Sequence, residues 1–384
     1  MSSRNRAVVG LVAVAVAILA VVGVVVFSGG DATSAPGAVV AVQDDHLPVD
    51  PIETIPARLD LIADTGVTTT RVDLHWWSIA PSRPADPRDP SDPAYDWARA
   101  DLIMLGLAER GITPIVSAYN TPAWASGGAV ERGIVDNTLA PDPDDYGDFM
   151  AALATRYSGT MTSPGGDKLP EVRRFEIWNE PNLGGFLKPQ VEDGVRVSLD
   201  NYAAMVKAAY DPIKQANPDA IVIAGVGGPR SSTTKTGTGA VEWARGLAER
   251  NIPLDAYSQH VYPSAAPDVV TEVVPSWSSI GRFLTELDAF RPDLPLYITE
   301  AGYTTSPTTY RDTAVTEDEQ ADYLDQIFAL PQLQTGRIKA VVWFNLQDNR
   351  DWPAGLLRED LSRKPSYERF LGAVEDQEGA GLTD

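Results

Sequence analysis

The feature that most constrains the fold of this chain is a regular alternation of short apolar runs with longer segments of helical periodicity. The apolar runs lie at residues 38–43, 69–74, 113–118, 175–178, 220–224, 256–262, 296–299 and 338–344. Helical patterns follow them at residues 55–65, 97–110, 144–157, 201–217, 241–250, 277–290, 317–330 and 365–371. Such alternation is typical of βα units around a parallel sheet. Eight units in roughly 345 residues predict an α/β fold, a single (β/α)8 TIM barrel.

The connections between helices and strands support this prediction. Gly66, Gly111 and Asn251 stand where a helix pattern ends, and we expect them in the left-handed conformation that terminates helices. A doubly wound open sheet is the alternative fold, but it usually has a glycine-rich nucleotide loop after its first strand. Here the first run continues as AVQDDHLPVDP, which contains no glycine.

The N-terminus predicts a location outside the cytoplasm. Residues 7–27 carry no polar side chain, which is long enough for a helix to span a bilayer and longer than most signal-peptide cores. The preceding Arg4 and Arg6 favour the cytoplasmic side. We therefore expect residues 1–27 to be a membrane anchor, or a signal peptide cleaved near residues 33–35. A small-residue linker at 28–37 and a catalytic domain at 38–384 follow, either membrane-anchored or secreted.

Charge and composition exclude several classes of function. The net charge of −22 disfavours binding to nucleic acid or to an anionic membrane surface, so the N-terminal segment is the only membrane contact that we expect. The chain has no cysteine and only three dispersed histidines, which excludes thiol catalysis and cysteine–zinc sites. We expect no metal, no cofactor and a monomer.

Two carboxylates occupy matching positions at predicted strand ends. The active site of a TIM barrel lies at the carboxyl ends of its strands. Glu180 follows the fourth strand in FEIWNEP, and Glu300 ends the seventh strand in YITEAGY. The two strands are three units apart around the ring, so the two side chains should face each other across the barrel mouth. A carboxylic acid and a carboxylate about 5 to 5.5 Å apart are what retaining glycoside hydrolysis requires.

The motifs WNEP and TEAGY, in this order, resemble those of the clan A retaining glycoside hydrolases, such as families 5 and 39. This resemblance implies that Glu180 is the acid/base, that Glu300 is the nucleophile, and that Asn179 contacts the sugar 2-hydroxyl. The implied substrate is a β-linked poly- or oligosaccharide. A glycosidase for furanosides of a cell-wall glycan and a non-catalytic carbohydrate-binding barrel are the alternatives.

Other residues at the strand ends complete the predicted site. We expect Arg71 to lower the pKa of Glu300, Tyr262 to donate a hydrogen bond to it, and Glu180 to have a raised pKa. Arg71 could instead form a structural ion pair with Asp73 in the barrel. The remaining candidates for substrate binding are aromatic or histidine side chains, with Trp343 as the main sugar platform: His75, Trp124, His260 and Trp343.

Overall fold

A computed structural model describes residues 37–126, 130–131 and 134–377 of the protein. The predicted anchor or signal peptide at 1–27 and the linker up to residue 36 lie outside this described part. Among the described residues, no helix has the length and apolar character that a membrane crossing needs.

Eight parallel strands form a closed barrel, which confirms the predicted fold. They are β1 (Val39–Gln43), β2 (Thr69–His75), β3 (Thr113–Tyr119), β4 (Arg174–Ile177), β5 (Ile221–Gly227), β6 (Ala256–Gln259), β7 (Leu296–Ala301) and β8 (Ile338–Phe344). The order around the barrel is β1–β8–β7–β6–β5–β4–β3–β2, and β2 pairs with β1 to close the ring.

A helix follows each strand and packs outside the ring. The helices are α1 (Ile55–Ala63), α2 (Ala98–Glu109), α3 (Pro143–Arg156), α4 (Ser198–Ala216), α5 (Ala240–Glu249), α6 (Ile280–Leu287), α7 (Glu317–Phe328) and α8 (Pro365–Glu375). Shorter helical segments lie at Ile52–Thr54, Trp76–Ile79, Trp277–Ser279 and Pro331–Gln334. Two-stranded hairpins in the loops after β3 and β4 pair Val130–Glu131 with Ile134–Val135 and Val191–Glu192 with Val195–Arg196.

The predicted helix terminators have the expected backbone conformation. Gly66, Gly111 and Asn251 have φ values of 75°, 69° and 50°. A left-handed residue ends a helix and lets the chain turn towards the next strand. Each of the three follows a helix and precedes a strand, so these residues help to define where the helices of the βα units end.

The interior of the barrel is layered. Because strand side chains alternate between the two faces of a sheet, every second residue points to the barrel axis. The buried apolar residues that form the small central cluster are Val39, Ala41, Ile115, Ile223, Ala256, Tyr297, Ala340 and Val342. The next inward positions towards the carboxyl ends are polar, including Gln43, Arg71, Ser117 and Glu176, and all four are buried. A larger apolar cluster involves the outer face of the barrel and the helices. Buried polar side chains thus fill the carboxyl end of the barrel interior.

Candidate active site

Glu180 and Glu300 meet at the carboxyl end of the barrel. Glu180 is 7% exposed and Glu300 is 8% exposed, and both line a cleft of about 1350 Å³. One oxygen of each carboxylate and one ring nitrogen of His260 all lie within 4.8 Å of one another. Two carboxylates from strands three units apart therefore share one small, largely dehydrated space.

The chain turns sharply at the end of β4 to present Asn179 and Glu180 to the cleft. Trp178 and Glu180 adopt φ values of 70° and 40°, although neither is glycine. Non-glycine residues in this region cost on the order of 1–3 kcal/mol each and persist where their surroundings hold them. Trp178 is fully buried, and its indole N–H donates to the Phe186 carbonyl at 3.0 Å. The packing of Trp178 thus helps to hold the turn that orients the two polar residues after it.

Arg71 on β2 is the centre of the hydrogen-bond network below the cleft. Its guanidinium is fully buried and lies 3.1 Å from Asp73, so the predicted structural ion pair exists. It also contacts Glu300, as the active-site interpretation predicts. Its hydrogen-bond acceptors are Glu176 at 2.6 Å, Gln43 at 2.8 Å, Glu300 at 2.7 Å, Ser117 at 3.1 Å and Asn179 at 2.7 Å. One rigid cation therefore fixes the positions of both Glu300 and Asn179.

Glu300 accepts hydrogen bonds from Arg71 and Tyr262 and lies beside His260, yet its pKa is raised. The Tyr262 hydroxyl donates to Oε2 at 2.8 Å, and His260 Nδ1 lies 3.3 Å from the same oxygen. Burial raises the pKa of Glu300 to about 7, although His260 and Arg71 lower it. Arg71 lowers the pKa of Glu300 as predicted, but burial has a larger effect, so that the net pKa lies above its ordinary value. The guanidinium of Arg71 is also shared, because it faces the carboxylates of Asp73 and Glu176 as well as Glu300.

His260 joins the two catalytic candidates. It is fully buried, and its Nδ1 lies 2.7 Å from Glu180 Oε1. Burial lowers the pKa of His260, but the carboxylates of Glu300 and Glu180 outweigh this effect, so that the pKa is raised. The structure therefore places His260 behind the carboxylates, where it contacts them directly. His260, predicted to contact the sugar, is not among the described residues that line the cleft.

His75 and Tyr262 both line the cleft, as substrate contacts must. The imidazole of His75 lies edge-to-face with Tyr119 at 5.5 Å between ring centroids. Burial lowers the pKa of His75, so a neutral ring faces the cleft at neutral pH. Tyr262 contacts the ring of Trp352 edge-to-face at 5.0 Å.

Trp343 and Trp124 are not among the described residues that line the cleft. Trp343 is fully buried, and its indole N–H donates to the Ala354 carbonyl at 3.0 Å. Trp124 donates to the Ala80 carbonyl at 2.8 Å and packs edge-to-face on Trp76. The aromatic side chains of the β8 region that do line the cleft are Phe344 and Trp352. The prediction that Trp343 is a sugar platform is therefore wrong: Val342 and Phe344 point inward, so Trp343 faces the helices.

Two carboxylates in the site, Glu176 and Asp45, were not predicted from the sequence. Glu176 is fully buried and accepts from Arg71; its signal is the alternation of Arg174 and Glu176 with Phe175 and Ile177. Asp45 lines the cleft after β1, and the amides of Asn345 and Asn349 both donate to it. Burial raises the pKa of Asp45 to about 6. No local pattern connects residues 300 positions apart, so the contact between Asp45 and Asn345 required the closed barrel.

Two groups of described residues have potential metal ligands close together: Asp44, Asp45 and His46, and Glu180, His260 and Glu300. Asp44 is engaged by Arg58, whose Nε and Nη2 lie 2.7 and 2.6 Å from its two oxygens. Glu300 is similarly engaged by Arg71 and Tyr262. Arginine cations already neutralise Asp44 and Glu300, which disfavours metal coordination by these two groups.

Comparisons with known proteins agree with this geometry. A family model described as Glycosyl hydrolases family 39 matches residues 82–330, more than half of the chain. A β-xylosidase from Geobacillus stearothermophilus is 27% identical over 257 residues, which are 60% of this chain and 47% of that enzyme. The chain thus spans about half the length of this relative.

Solved structures share the fold. A family 39 glycoside hydrolase from Bacteroides cellulosilyticus WH2 superposes with a TM-score of 0.59 at 21% identity, over 89% of this chain and 64% of that one. GH5_18 from Streptomyces cattleya, solved in complex with GlcNAc, superposes with a TM-score of 0.62 at 14% identity, over 91% and 82% of the two chains. At these identities the likeness concerns the fold alone.

Proposed function

Because the chain belongs to the glycosyl hydrolases of family 39, we propose that it is a retaining glycoside hydrolase acting on a β-linked poly- or oligosaccharide. The predicted resemblance to clan A glycoside hydrolases is confirmed by this membership. The observation that carries the proposal is the pair of buried carboxylates, Glu180 and Glu300, with oxygens within 4.8 Å of each other. Retaining enzymes have close pairs of this kind, whereas inverting enzymes separate the carboxyl groups by about 6.5 to 9.5 Å to admit a water.

Glu300 acts as the nucleophile in the first step. One of its oxygens attacks the anomeric carbon, the bond to the leaving oxygen breaks, and Glu180 gives that oxygen its proton. Arg71 and Tyr262 hold the attacking carboxylate at 2.7 and 2.8 Å, so that little reorganisation is needed. The product is a covalent glycosyl-enzyme and a neutral alcohol.

Glu180 acts as the base in the second step. Once Glu300 is esterified it is neutral, and the electrostatic cost of a negative charge on Glu180 falls. Glu180 then takes a proton from water, the water oxygen bonds to the anomeric carbon, and Glu300 leaves as a carboxylate. His260, 2.7 Å from Glu180, keeps the acid/base carboxyl in place through both steps.

Two further side chains contact the sugar in this proposal. Asn179 accepts from Arg71 through Oδ1, which leaves its amide N–H groups to donate to the sugar 2-hydroxyl. Asp45 offers a fixed carboxylate for other sugar hydroxyls. The β-xylosidase from Geobacillus stearothermophilus makes β-xylosides the first substrates to assay.

The N-terminal segment concerns the location of the enzyme. Residues 7–27 would place the barrel outside the cytoplasm, either tethered or secreted. N-terminal sequencing of the mature protein tests this: a chain that starts near residue 35 indicates cleavage, and one that retains residues 1–27 indicates an anchor.

Rescue by azide tests the two catalytic roles together. Glu300→Ala should abolish hydrolysis of a nitrophenyl β-glycoside, and azide should restore cleavage with a glycosyl azide of inverted configuration. Glu180→Ala with azide should give a glycosyl azide of retained configuration, because Glu300 still forms the intermediate. Glu272→Gln, at an exposed position away from the cleft, is the control. Hydrolysis by Glu300→Ala at the rate of the wild type would refute the assigned roles. Absence of hydrolysis by the wild-type protein itself would instead favour a non-catalytic sugar-binding barrel.

A further inference from the structure

The cleft has one wall that is free of acidic residues. Segments 183–191 and 229–236, which follow β4 and β5, have the sequences LGGFLKPQV and PRSSTTKT. They line the cleft with Lys188, Arg230 and Lys235. We refer to these two segments as the basic wall. The rest of the lining beyond the catalytic pair is more acidic and includes Asp45, Asp50, Asp73 and Asp351 beside Arg350. A basic wall in a chain with a net charge of −22 departs from the composition of the whole.

The basic wall lies on the side of the cleft that carries Glu180. A Cβ placed on Gly228 would lie 2.9 Å from the carboxyl carbon of Glu180, so the backbone just before Arg230 packs against the acid/base. The proposed function has Glu180 protonate the leaving oxygen. The sugar residue that departs with this oxygen must therefore extend along the basic wall.

Hydrogen bonds within and directly beside the two segments hold them together before any ligand binds. The Asn182 amide donates to the carbonyls of Gly228 and Thr238 at 3.3 and 2.9 Å, and its Oδ1 accepts from the Gly228 N–H at 2.7 Å. The Gly184 N–H also donates to the Thr236 carbonyl at 2.9 Å. The backbone of the wall is thus held before a ligand binds, so only side chains such as Lys235 have to become ordered on binding.

Two of the three cations have no carboxylate partner among the described residues. Arg230 donates to the Ser232 carbonyl at 2.7 Å and to Thr234 Oγ1 at 2.8 Å, both uncharged acceptors. Lys235 is exposed, and no hydrogen bond or ion pair involves it within the described part of the chain. Lys188 differs, since it pairs with Asp136 at 3.0 Å. The positive charge of Arg230 and Lys235 is thus available to a ligand.

From this arrangement we propose that the leaving-group side of the cleft binds an anionic sugar residue, so that the enzyme cleaves an acidic glycan. The proposal rests on the proposed function, because that function defines the leaving-group side. A uronic acid carboxylate and a sulfate ester offer the same chemistry to Arg230 and Lys235.

Binding to Glu300→Gln measures this preference without turnover. The ligands are glucuronoxylan oligosaccharides, their carboxyl-reduced counterparts and sulfated xylo-oligosaccharides, titrated by calorimetry at low and high salt. Exposed charges contribute about two- to fivefold each, so we expect the acidic form to bind roughly tenfold more tightly than the reduced form. This ratio should fall towards one as salt screens the wall.

Substitutions then locate the anion. In the Glu300→Gln background, Lys235→Gln should lower the ratio of acidic to reduced affinity about threefold. Lys207→Gln on α4, the same charge change at an exposed site outside the cleft, should leave the ratio unchanged. Preference for the sulfated over the carboxylate ligand would identify the anion as a sulfate ester. Equal binding of the acidic and reduced forms, or a ratio insensitive to Lys235→Gln, would overturn the proposal. Hydrolysis of a neutral nitrophenyl glycoside by the wild-type protein reports the proposed function separately.

Discussion

Replacing Glu300 with glutamine should stabilise the protein in a pH-dependent way. Burial raises the pKa of Glu300 from 4.5 to about 7, so the folded state holds this proton more tightly than the unfolded state. The stability that the protonated group contributes is complete below pH 4.5 and is lost as pH rises to 7. At about 1.4 kcal/mol for each pH unit, the loss amounts to about 3 kcal/mol. The glutamine amide cannot ionise, so the Glu300→Gln variant avoids this loss.

Denaturant unfolding from about pH 4.5 to about pH 8 provides the assay. We expect the stability of Glu300→Gln relative to the wild type to rise by about 3 kcal/mol over this range and then to level off. The transition belongs to Glu300 and His260 together, because the two groups interact directly. Glu272→Gln, whose carboxylate is 93% exposed, should show no such rise. A flat difference for Glu300→Gln, or a fall with pH, would refute the conclusion that burial dominates the ionisation of Glu300.

Three further predictions concern activity. Since the nucleophile must be ionised, kcat/KM should rise with pH up to about 7. His260→Asn should shift this rise to higher pH, because cationic His260 lowers the pKa of Glu300. A pH profile of kcat/KM that is the same in His260→Asn and the wild type would contradict the assignment of this rise to Glu300. Asn179→Ala should lower kcat about 100-fold on ordinary glycosides but much less on 2-deoxy glycosides, and equal losses would exclude a contact with the 2-hydroxyl. Trp352→Ala should raise KM, because Trp352 lines the cleft. Trp343 is buried outside the cleft, so Trp343→Phe should leave KM unchanged and lower the free energy of unfolding by about 1–3 kcal/mol. A raised KM for Trp343→Phe would place its indole in the cleft.

The fold and the proximity of Glu180 and Glu300 were predictable because their signals are local. Strands and helices alternate at short range, and the left-handed residues Gly66, Gly111 and Asn251 are each next to a helix end. Glu180 and Glu300 stand in short motifs at strand ends, and the barrel brings any such ends together. The sequence therefore predicts this meeting without any knowledge of side-chain contacts.

The aromatic lining of the cleft was harder to predict. The inward or outward direction of a strand residue changes with every position. The bounds of β8 were predicted correctly, so the error concerns which of its alternating residues, Trp343 or Phe344, faces the cleft. The polar end of β4 shows that the same alternation can be informative. Arg174 and Glu176 are both buried on the inward side and alternate with the outward Phe175 and Ile177.

The electrostatics depend on depth and on distant partners. A pKa reflects the balance between burial and all nearby charges, and the depth at which Glu300 lies is a property of the folded barrel. The contact of Asp45 with Asn345 and the hydrogen bonds by which Asn182 joins two loops connect residues far apart in the chain. These contacts exist only after the barrel has closed.

Trapping the covalent intermediate tests the central claim most directly. A 2-deoxy-2-fluoro glycoside with a good leaving group slows the second step more than the first, so the glycosyl-enzyme accumulates. Mass spectrometry of the digested protein should find the fluorosugar on the peptide that contains Glu300, and Glu300→Gln should remain unlabelled. A label on Glu180 or on another residue, or full inactivation without any label, would contradict the double displacement at Glu300.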